Sequence, residues 1–289
     1  MTARQDDAAR WRNWIGRTET VDDVIDPSRA RALHAALDLP GRSPGPGDPL
    51  PPLWHWLYFW STYPASALGP DGHPERGGFL PPIELPRRMW AGSRVTFPQP
   101  LPIGSEARKQ SAIADVRMTQ GRSGPLAFVT VRHEISAAGE VCIVDEHEIV
   151  YRAPPASGAA ARPGEPAPHA WVWQRQWRAD PVLLFRYSAL TFNGHRIHYD
   201  RPYATEVEGY PGLVVHGPLL ATLMVELARE HNARADITAF EFRAHRPIFD
   251  EAPFTVSGAP SGDGSNAELW VADAEGAVAA KGRVTLTER

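Results

Sequence analysis

Hydrophobic and polar positions alternate along two separate series of segments, a pattern typical of antiparallel β-strands. The first series covers residues 106–116, 125–136 and 140–151, with short turns at 121–124 and 137–139. The second series covers residues 237–244, 254–259, 266–273 and 277–287, with turns at 261–264 and 274–276. The pattern therefore predicts that each half of the chain ends in a meander of strands.

A predicted helix precedes each meander. The dipeptide Asp26-Pro27 is a helix start signal and Pro40-Gly41 is a stop signal, so the first helix is expected over residues 27–39. In the segment 217–231 the apolar residues recur at helical spacing, and they are Leu219, Leu220, Leu223, Met224 and Leu227. Helix followed by meander, twice over, indicates an α+β fold made by internal duplication of an antiparallel sheet wrapped around a helix.

A linker separates the two predicted units. Residues 153–168 contain almost no large apolar side chain and are dense in proline, glycine and alanine, a composition typical of linkers. We therefore divide the chain into a first unit at 1–152, a linker at 153–169 and a second unit at 170–289.

Composition and charge exclude several classes of partner. The chain has 289 residues, of which 43% are apolar, and a net charge of -4. It can bury a large core, but it has no electrostatic reason to bind nucleic acid or an anionic membrane. No apolar run reaches the roughly 18 residues that cross a bilayer, and the acidic N-terminus lacks the apolar region of a secretory signal. We expect a soluble, cytoplasmic protein.

Cysteine usage agrees with a reducing compartment. Cys142 is the only cysteine, so an intramolecular disulfide and a site of several thiolates are both excluded. Because it lies in an apolar run, we interpret it as a buried structural residue.

Polar residues concentrate in the segment 185–200, which otherwise has the composition of a core. Gly194 interrupts the helical pattern between Asn193 and His198. A helix that ends near Gly194 would turn both side chains toward one cavity, as an acid/base pair on a small substrate requires. Imidazole can remove and return a proton near neutral pH, so we interpret His198 as functional. For His195 a solvated or supporting role is equally well founded.

The turn His216-Gly217-Pro218 begins the second predicted helix. Backbone N–H groups at a helix N-terminus lack intrahelical acceptors, and Gly217 lets a ligand approach closely. A carbonyl that acquires negative charge could be stabilised there, with His216 orienting the turn. A simple glycine helix start explains this turn equally well.

The chain lacks a motif for a resident cofactor. His195, His198, Asp200 and His216 could be assembled into a metal ligand set, but their spacing matches no recognised two-histidine helix motif. No convincing phosphate loop, nucleophile elbow or dinucleotide fingerprint occurs. We expect no metal and no cofactor.

Where the second half carries polar residues, the first half carries an aromatic group made of Trp54, Trp56, Tyr58, Phe59, Trp60 and Tyr63. Such density is more typical of a core or a domain interface than of a ligand pocket, and both interpretations stay open. The segments 40–52 and 70–82 are rich in proline and glycine and are predicted loops, the second of them a candidate cover for a substrate.

Residues 191–200 resemble the motif Ser/Thr-Gly-Asp-x-Asn-Pro-x-His-x-Asp/Glu of the MaoC-like hot-dog hydratases and dehydratases, and His216-Gly217 resembles that family's His-Gly turn. Segments 79–82, 85–92 and 187–200 are similar to its branch that hydrates mesaconyl-C4-CoA and itaconyl-CoA. The resemblance covers nearly the whole chain. It implies a double hot-dog, two antiparallel sheets each wrapped around a helix, with an acyl thioester between them and its oxygen at the Gly217 amide.

One position departs from the family motif. The family's catalytic aspartate falls on Asn193, whereas its histidine is retained as His198. An amide cannot act as a carboxylate base, so we expect His198 to be the principal acid/base and Asn193 to orient the attacking water. Asp200 would support the local turn or the imidazole.

The resemblance also gives candidate substrate-binding residues. Arg196 and Arg186 are nearest in sequence to the motif and are candidates for a distal carboxylate, although an exposed structural role explains them better. Tyr187, His195 and His216 complete the candidate set. Arg87, Arg88, Arg243 and Arg246 could meet the CoA phosphates, and ordinary surface charge explains these four equally well.

The resemblance implies reversible hydration of a short branched dicarboxylic enoyl thioester, giving citramalyl-CoA. Alternatives are a hydroxyacyl-thioester dehydratase on monocarboxylic chains of CoA or acyl carrier protein, a thioesterase, and a non-catalytic acyl-CoA binding module. The pairing of His198 with the Gly217 turn favours catalysis, because a binding module needs no acid/base histidine. Two hot-dog units within one chain permit a monomer, and a homodimer is a candidate assembly.

Overall fold

A computed structural model describes residues 10–121, 124–153 and 164–289. The acidic N-terminal segment, two residues of the predicted turn at 121–124 and most of the predicted linker lie outside the described residues. Where the chain is described again, Pro166 forms an isolated antiparallel bridge with Ala277.

The described residues contain ten strands: β1 Thr18–Val24, β2 Arg87–Thr96, β3 Glu106–Gly121, β4 Gly124–Ala137, β5 Glu140–Arg152, β6 Trp173–Trp177, β7 Ala235–Ala244, β8 Phe254–Pro260, β9 Asn266–Ala272 and β10 Val278–Glu288. They form one continuous antiparallel sheet in the order β1-β3-β4-β5-β2-β7-β10-β9-β8-β6. The first five strands precede the predicted linker and the last five follow it. β2 and β7 pair antiparallel, with Val95 opposite Phe240, and this pairing joins the two predicted sheets edge to edge.

All seven predicted strands are present, and three further strands were missed. β1 and β6 are the outermost strands of the sheet, and both are rich in polar residues. β2 carries three arginines and a glycine, so its apolar alternation is weak. Pairing with neighbouring strands, which local sequence does not report, makes these segments extended.

Besides a helical turn at residues 10–12, the described residues contain three α-helices: α1 Pro27–Ala36, α2 Pro181–Thr191 and α3 Gly217–His231. Asp26 caps α1 and Asp180 caps α2, each accepting a backbone N–H with its side chain. α3 is buried from Leu219 to Ala228 and packs against β6 to β10. It is the central helix of the second half, as predicted.

The first half also combines a helix with an antiparallel sheet, but its helix packs differently. α1 packs against α2 and against a short 3-10 turn at Trp54–Leu57. His55 and Trp56 on that turn reach Asp145 on β5, while the indole of Trp54 donates to Glu226 on α3 at 2.8 Å. Aromatic side chains of this turn therefore cover the first half's sheet and join it to the second half.

Both interpretations of the aromatic group hold in part. Trp54, Tyr58 and Phe59 are buried in the main core, and Trp60 and Tyr63 line the large cavity described below. Cys142 is buried with a free thiol, as its apolar surroundings suggested. None of the described helices is long and apolar enough to cross a membrane.

Candidate active site

A cavity of about 1290 Å³ lies between the two halves. The first half contributes β2, β5 and the loop around residues 71–82, and the second contributes the end of α2, residues 193–199 and the start of α3. The residues predicted from sequence for catalysis or acyl binding that line it are Tyr187, Asn193, His195, His198 and Gly217, and the four arginines considered for the CoA phosphates line it too. The arrangement brings most of the predicted site to one place.

His198 lies on a short 3-10 turn, Arg196–His198, and is 7% exposed. Its Nδ1 lies 2.7 Å from the carbonyl oxygen of Val214. A carbonyl can only accept, so Nδ1 carries the proton and Nε2 keeps a lone pair. Burial lowers the pKa of His198 to about 4, against the opposing effect of the Val214 hydrogen bond. The imidazole is therefore neutral near pH 7 and can accept a proton at Nε2.

His216 holds the His198 ring in place. The two rings stack with centroids 3.7 Å apart, and Nε2 of His216 lies 2.8 Å from the Ser188 hydroxyl. Burial and the neighbouring His198 keep the pKa of His216 well below its usual value. Tyr187 packs edge-on against His216 at 5.0 Å, and burial raises its pKa. His216 does not line the cavity, and its position behind His198 fits an orienting role.

Gly217 is the first residue of α3, so its N–H has no acceptor within the helix. A Cβ at this position would lie 2.8 Å from the Trp90 ring, so the indole fits only against glycine. Because Gly217 lines the cavity, the positive end of the helix dipole lies at the cavity wall. This is the geometry that stabilises a carbonyl oxygen acquiring negative charge.

Asn193 follows the end of α2. Phe192 adopts a left-handed conformation with φ 52° and ends the helix, and Asn193 accepts the His195 backbone N–H at 3.0 Å. The side-chain oxygen is thus used within the turn, and the amide NH2 is the group that can donate to a bound water.

Arg196 and Arg186 do not line the cavity. The Arg196 guanidinium donates to Asp200 at 2.8 and 2.9 Å and to the carbonyl of Pro70 at 2.9 Å. Arg186 is exposed on α2. Asp200 accepts hydrogen bonds from the Arg196 guanidinium and from the Tyr203 N–H. It supports the turn, which is one of the two roles expected for it.

The structure adds a carboxylate that sequence reasoning missed. Asp71 accepts a hydrogen bond from Nδ1 of His73 at 3.0 Å, the rings of His73 and His195 lie 4.1 Å apart, and those of His195 and His198 lie 5.4 Å apart. Burial raises the pKa of Asp71, but the hydrogen bonds and the charge of His73, together with the charge of His195, outweigh this, and the net pKa is lowered. Burial, with help from His73, lowers the pKa of His195 to about 2.

Backbone contacts fix the loop that carries Asp71. The Arg196 N–H donates to the Asp71 carbonyl at 2.9 Å. Gly72 has φ +85°, and a Cβ there would overlap the carbonyl oxygen of Gly194. The predicted covering loop therefore docks directly on the segment that carries His198. This docking joins residues more than 120 positions apart, so no local sequence signal could have found it.

Asp71, His73 and His195 are also the group in the described residues whose geometry comes nearest to a metal ligand set, with ligand atoms within 4.8 Å of one another. It shares only His195 with the set considered from sequence. The guanidinium of Arg88 lies near enough to lower the pKa of both histidines, and its positive charge opposes a cation at this place.

A second polar network in the same cavity was also missed. Asp145 on β5 is 1% exposed and accepts from Nε2 of His147 at 2.8 Å, from Nε2 of His55 at 3.1 Å and from the Trp56 indole at 2.8 Å. Burial raises the pKa of Asp145, but His147 and His55 outweigh it and hold the net pKa well below its usual range. The alternation of Asp145 and His147 along one strand is the only local signal for this network.

Comparison with known proteins agrees with the geometry. A family model for hydroxyacyl-thioester dehydratase type 2 matches residues 53–250. The chain is 52% identical to the mesaconyl-C(4)-CoA hydratase of Chloroflexus aurantiacus, covering 94% of this chain and 97% of that protein.

Solved structures show the fold. A MaoC-like dehydratase from Phytophthora capsici superposes with a TM-score of 0.68 at 12% identity, covering 97% of this chain and 98% of its own. A Mycobacterium tuberculosis protein with a double hotdog fold superposes with a TM-score of 0.55 at 13% identity, covering 94% and 96%. The α+β double hot-dog predicted from sequence is confirmed, with its two sheets joined into one.

Proposed function

This chain belongs to the hydroxyacyl-thioester dehydratase type 2 family of hydro-lyases, and we propose that it adds water reversibly to a short branched dicarboxylic enoyl-CoA such as mesaconyl-C4-CoA, giving citramalyl-CoA. The observation that carries the proposal is the neutral His198, whose Nε2 is free to accept a proton in the cavity that also holds the N-terminus of α3. The 52% identity to a mesaconyl-C(4)-CoA hydratase supports the choice of substrate.

The chemistry follows from these two groups. Hydrogen bonding of the thioester oxygen to the Gly217 N–H withdraws electrons from the conjugated double bond, which makes the β-carbon electrophilic. Nε2 of His198 removes a proton from a water held by the Asn193 amide as the water oxygen bonds to the β-carbon. The electron pair moves onto the thioester oxygen. When it returns, the α-carbon takes a proton from the His198 imidazolium, and both groups are restored.

Asp71 supplies the carboxylate that the motif lost at Asn193. His73 and His195 separate Asp71 from His198. Asp71 therefore influences the charge and the position of those two rings, and it does not act as the base itself. We assign His195 and His216 to positioning His198, and Tyr187 to packing behind it.

The CoA moiety has candidate contacts at the cavity wall. Arg243 and Arg246 line the cavity, and the Arg243 side chain is 65% exposed. Exposed guanidinium groups suit the phosphates of CoA. The proposal includes a cytoplasmic location, supported by the single free cysteine, and a homodimer as the assembly.

A panel of CoA esters tests the function. We expect purified protein to convert mesaconyl-C4-CoA to citramalyl-CoA, detected by chromatography of the CoA esters, and to act more slowly on itaconyl-CoA and crotonyl-CoA. Fastest turnover of crotonyl-CoA would favour the monocarboxylic dehydratase. Release of free CoA thiol would indicate a thioesterase, and consumption of none of the three esters would refute the proposed function.

A further inference from the structure

Six arginines line the cavity, and four of them are already engaged. Arg87 pairs with Glu208, Arg243 with Glu148 and Arg246 with Asp273, while Arg76 donates to the backbone carbonyls of Ile83, Leu85 and Pro86. Among the described residues no carboxylate lies within ion-pair distance of the remaining two, Arg88 and Arg152.

Arg88 shares the cavity wall with the histidine cluster of His73, His195 and His198. It stands on β2 opposite Tyr151 of β5, half-buried, and its guanidinium lies beside the Tyr151 hydroxyl. Its charge acts on both His73 and His195. Arg152 instead acts on Tyr210, away from these rings.

We propose that the Arg88 guanidinium binds the distal carboxylate of the dicarboxylic acyl group and thereby sets the enzyme's preference for such substrates. This inference rests on the proposed function. It replaces Arg196 and Arg186, which sequence proximity favoured, and removes Arg88 from the residues considered for the CoA phosphates.

Position and charge support the assignment. In mesaconyl-C4-CoA the free carboxylate is attached to the β-carbon, the atom that water attacks. Its partner must therefore lie in the same cavity as the base, and Arg88 lines that cavity together with His195 and His198, whose rings are 5.4 Å apart. A half-buried guanidinium without a counter-ion is costly, and a planar carboxylate can satisfy it with two parallel hydrogen bonds.

The pairing also assists the reaction. A carboxylate on the β-carbon repels electrons and makes that carbon a poorer electrophile. Pairing with Arg88 reduces this effect. Burial is the main cause of the lowered pKa of His73 and His195, and the positive charge of Arg88 adds to it. A substrate with a methyl group in place of the carboxylate would leave Arg88 without a partner.

The test compares Arg88→Gln with Arg152→Gln, which removes the other cavity-lining arginine without an ion-pair partner among the described residues, on the neighbouring strand β5. For each variant we would measure kcat/KM on mesaconyl-C4-CoA and on 3-methylcrotonyl-CoA, which carries a methyl group where the former carries the carboxylate. We expect Arg88→Gln to lower kcat/KM on mesaconyl-C4-CoA by roughly 100-fold while changing the other substrate little, and Arg88→Lys to restore part of the loss. Arg152→Gln should leave the ratio of the two values unchanged.

A binding measurement separates this inference from the proposed function. Calorimetry with 3-carboxybutyryl-CoA and isovaleryl-CoA, saturated esters that differ only in the carboxylate, needs no turnover. We expect the wild type to prefer the first ester and Arg88→Gln to lose that preference. An unchanged preference, or an equal loss of affinity for both esters, would overturn the assignment of Arg88 even if the enzyme hydrates mesaconyl-C4-CoA.

Discussion

Nδ1 of His198 holds the ring in place, and Nε2 is the atom that reacts. The bond from Nδ1 to the Val214 carbonyl fixes the tautomer, and stacking against His216 fixes the ring. Sequence alone indicated His198, His216 and Gly217 because they fall within two short motifs, at 191–200 and 216–217. It did not indicate Asp71, and it offered Arg88 only for the CoA phosphates, because both lie more than 100 positions earlier and reach the site through the docked loop and β2.

The protonation state of His198 predicts how the rate of hydration depends on pH. The base must be neutral, and its pKa is lowered to about 4, so kcat/KM should stay level from neutral pH downward and fall only as pH approaches 4. Initial rates after a rapid pH jump, recorded before any unfolding, would measure this. An acid limb at the ordinary histidine value of about 6.5 would contradict the assignment.

At the scale of elements, α3 was predictable because a buried helix carries its own periodic signal and a glycine-proline start. α1 begins where predicted and ends at Ala36, three residues before the expected end. The docking of the loop at 71–73 was not predictable, because it depends on two backbone segments meeting at Gly72 and Gly194.

The docked loop predicts the effect of Gly72→Ala. A Cβ there would collide with the Gly194 carbonyl, so we expect the loop to detach, kcat/KM to fall at least tenfold and the melting temperature to drop. Gly276→Ala is the matched control. Its φ is +80° but its Cβ position is open, so it should lower the melting temperature by only about 2–4 °C and leave activity intact. Equal effects of both changes on activity would contradict the docking role.

At the scale of the whole molecule, pairing of β2 with β7 makes one sheet from two halves and places the cavity between them. The duplication was visible in the sequence as two meanders. The continuity of the sheet was not, since β2 carries too many charged residues to be recognised as a central strand.

Buried histidines predict how stability depends on pH. Burial lowers the pKa of His55, His133, His195, His198 and His216 below 6.5. Below that pH the unfolded chain binds protons that the folded chain does not, so stability is full above about 6.5 and is lost as pH falls. We expect the melting temperature to drop by about 5 °C or more between pH 7.5 and 5.5. A level or rising melting temperature over this range would be inconsistent with neutral buried histidines.

The most direct test of the account is the hydration of mesaconyl-C4-CoA in ¹⁸O-labelled water by the wild type, His198→Gln and the exposed-site control His169→Gln. We predict that the wild type and the control form citramalyl-CoA carrying one labelled oxygen at similar rates, and that His198→Gln lowers kcat by about 1,000-fold. Unchanged turnover of His198→Gln, or label recovered in a free acid, would contradict it.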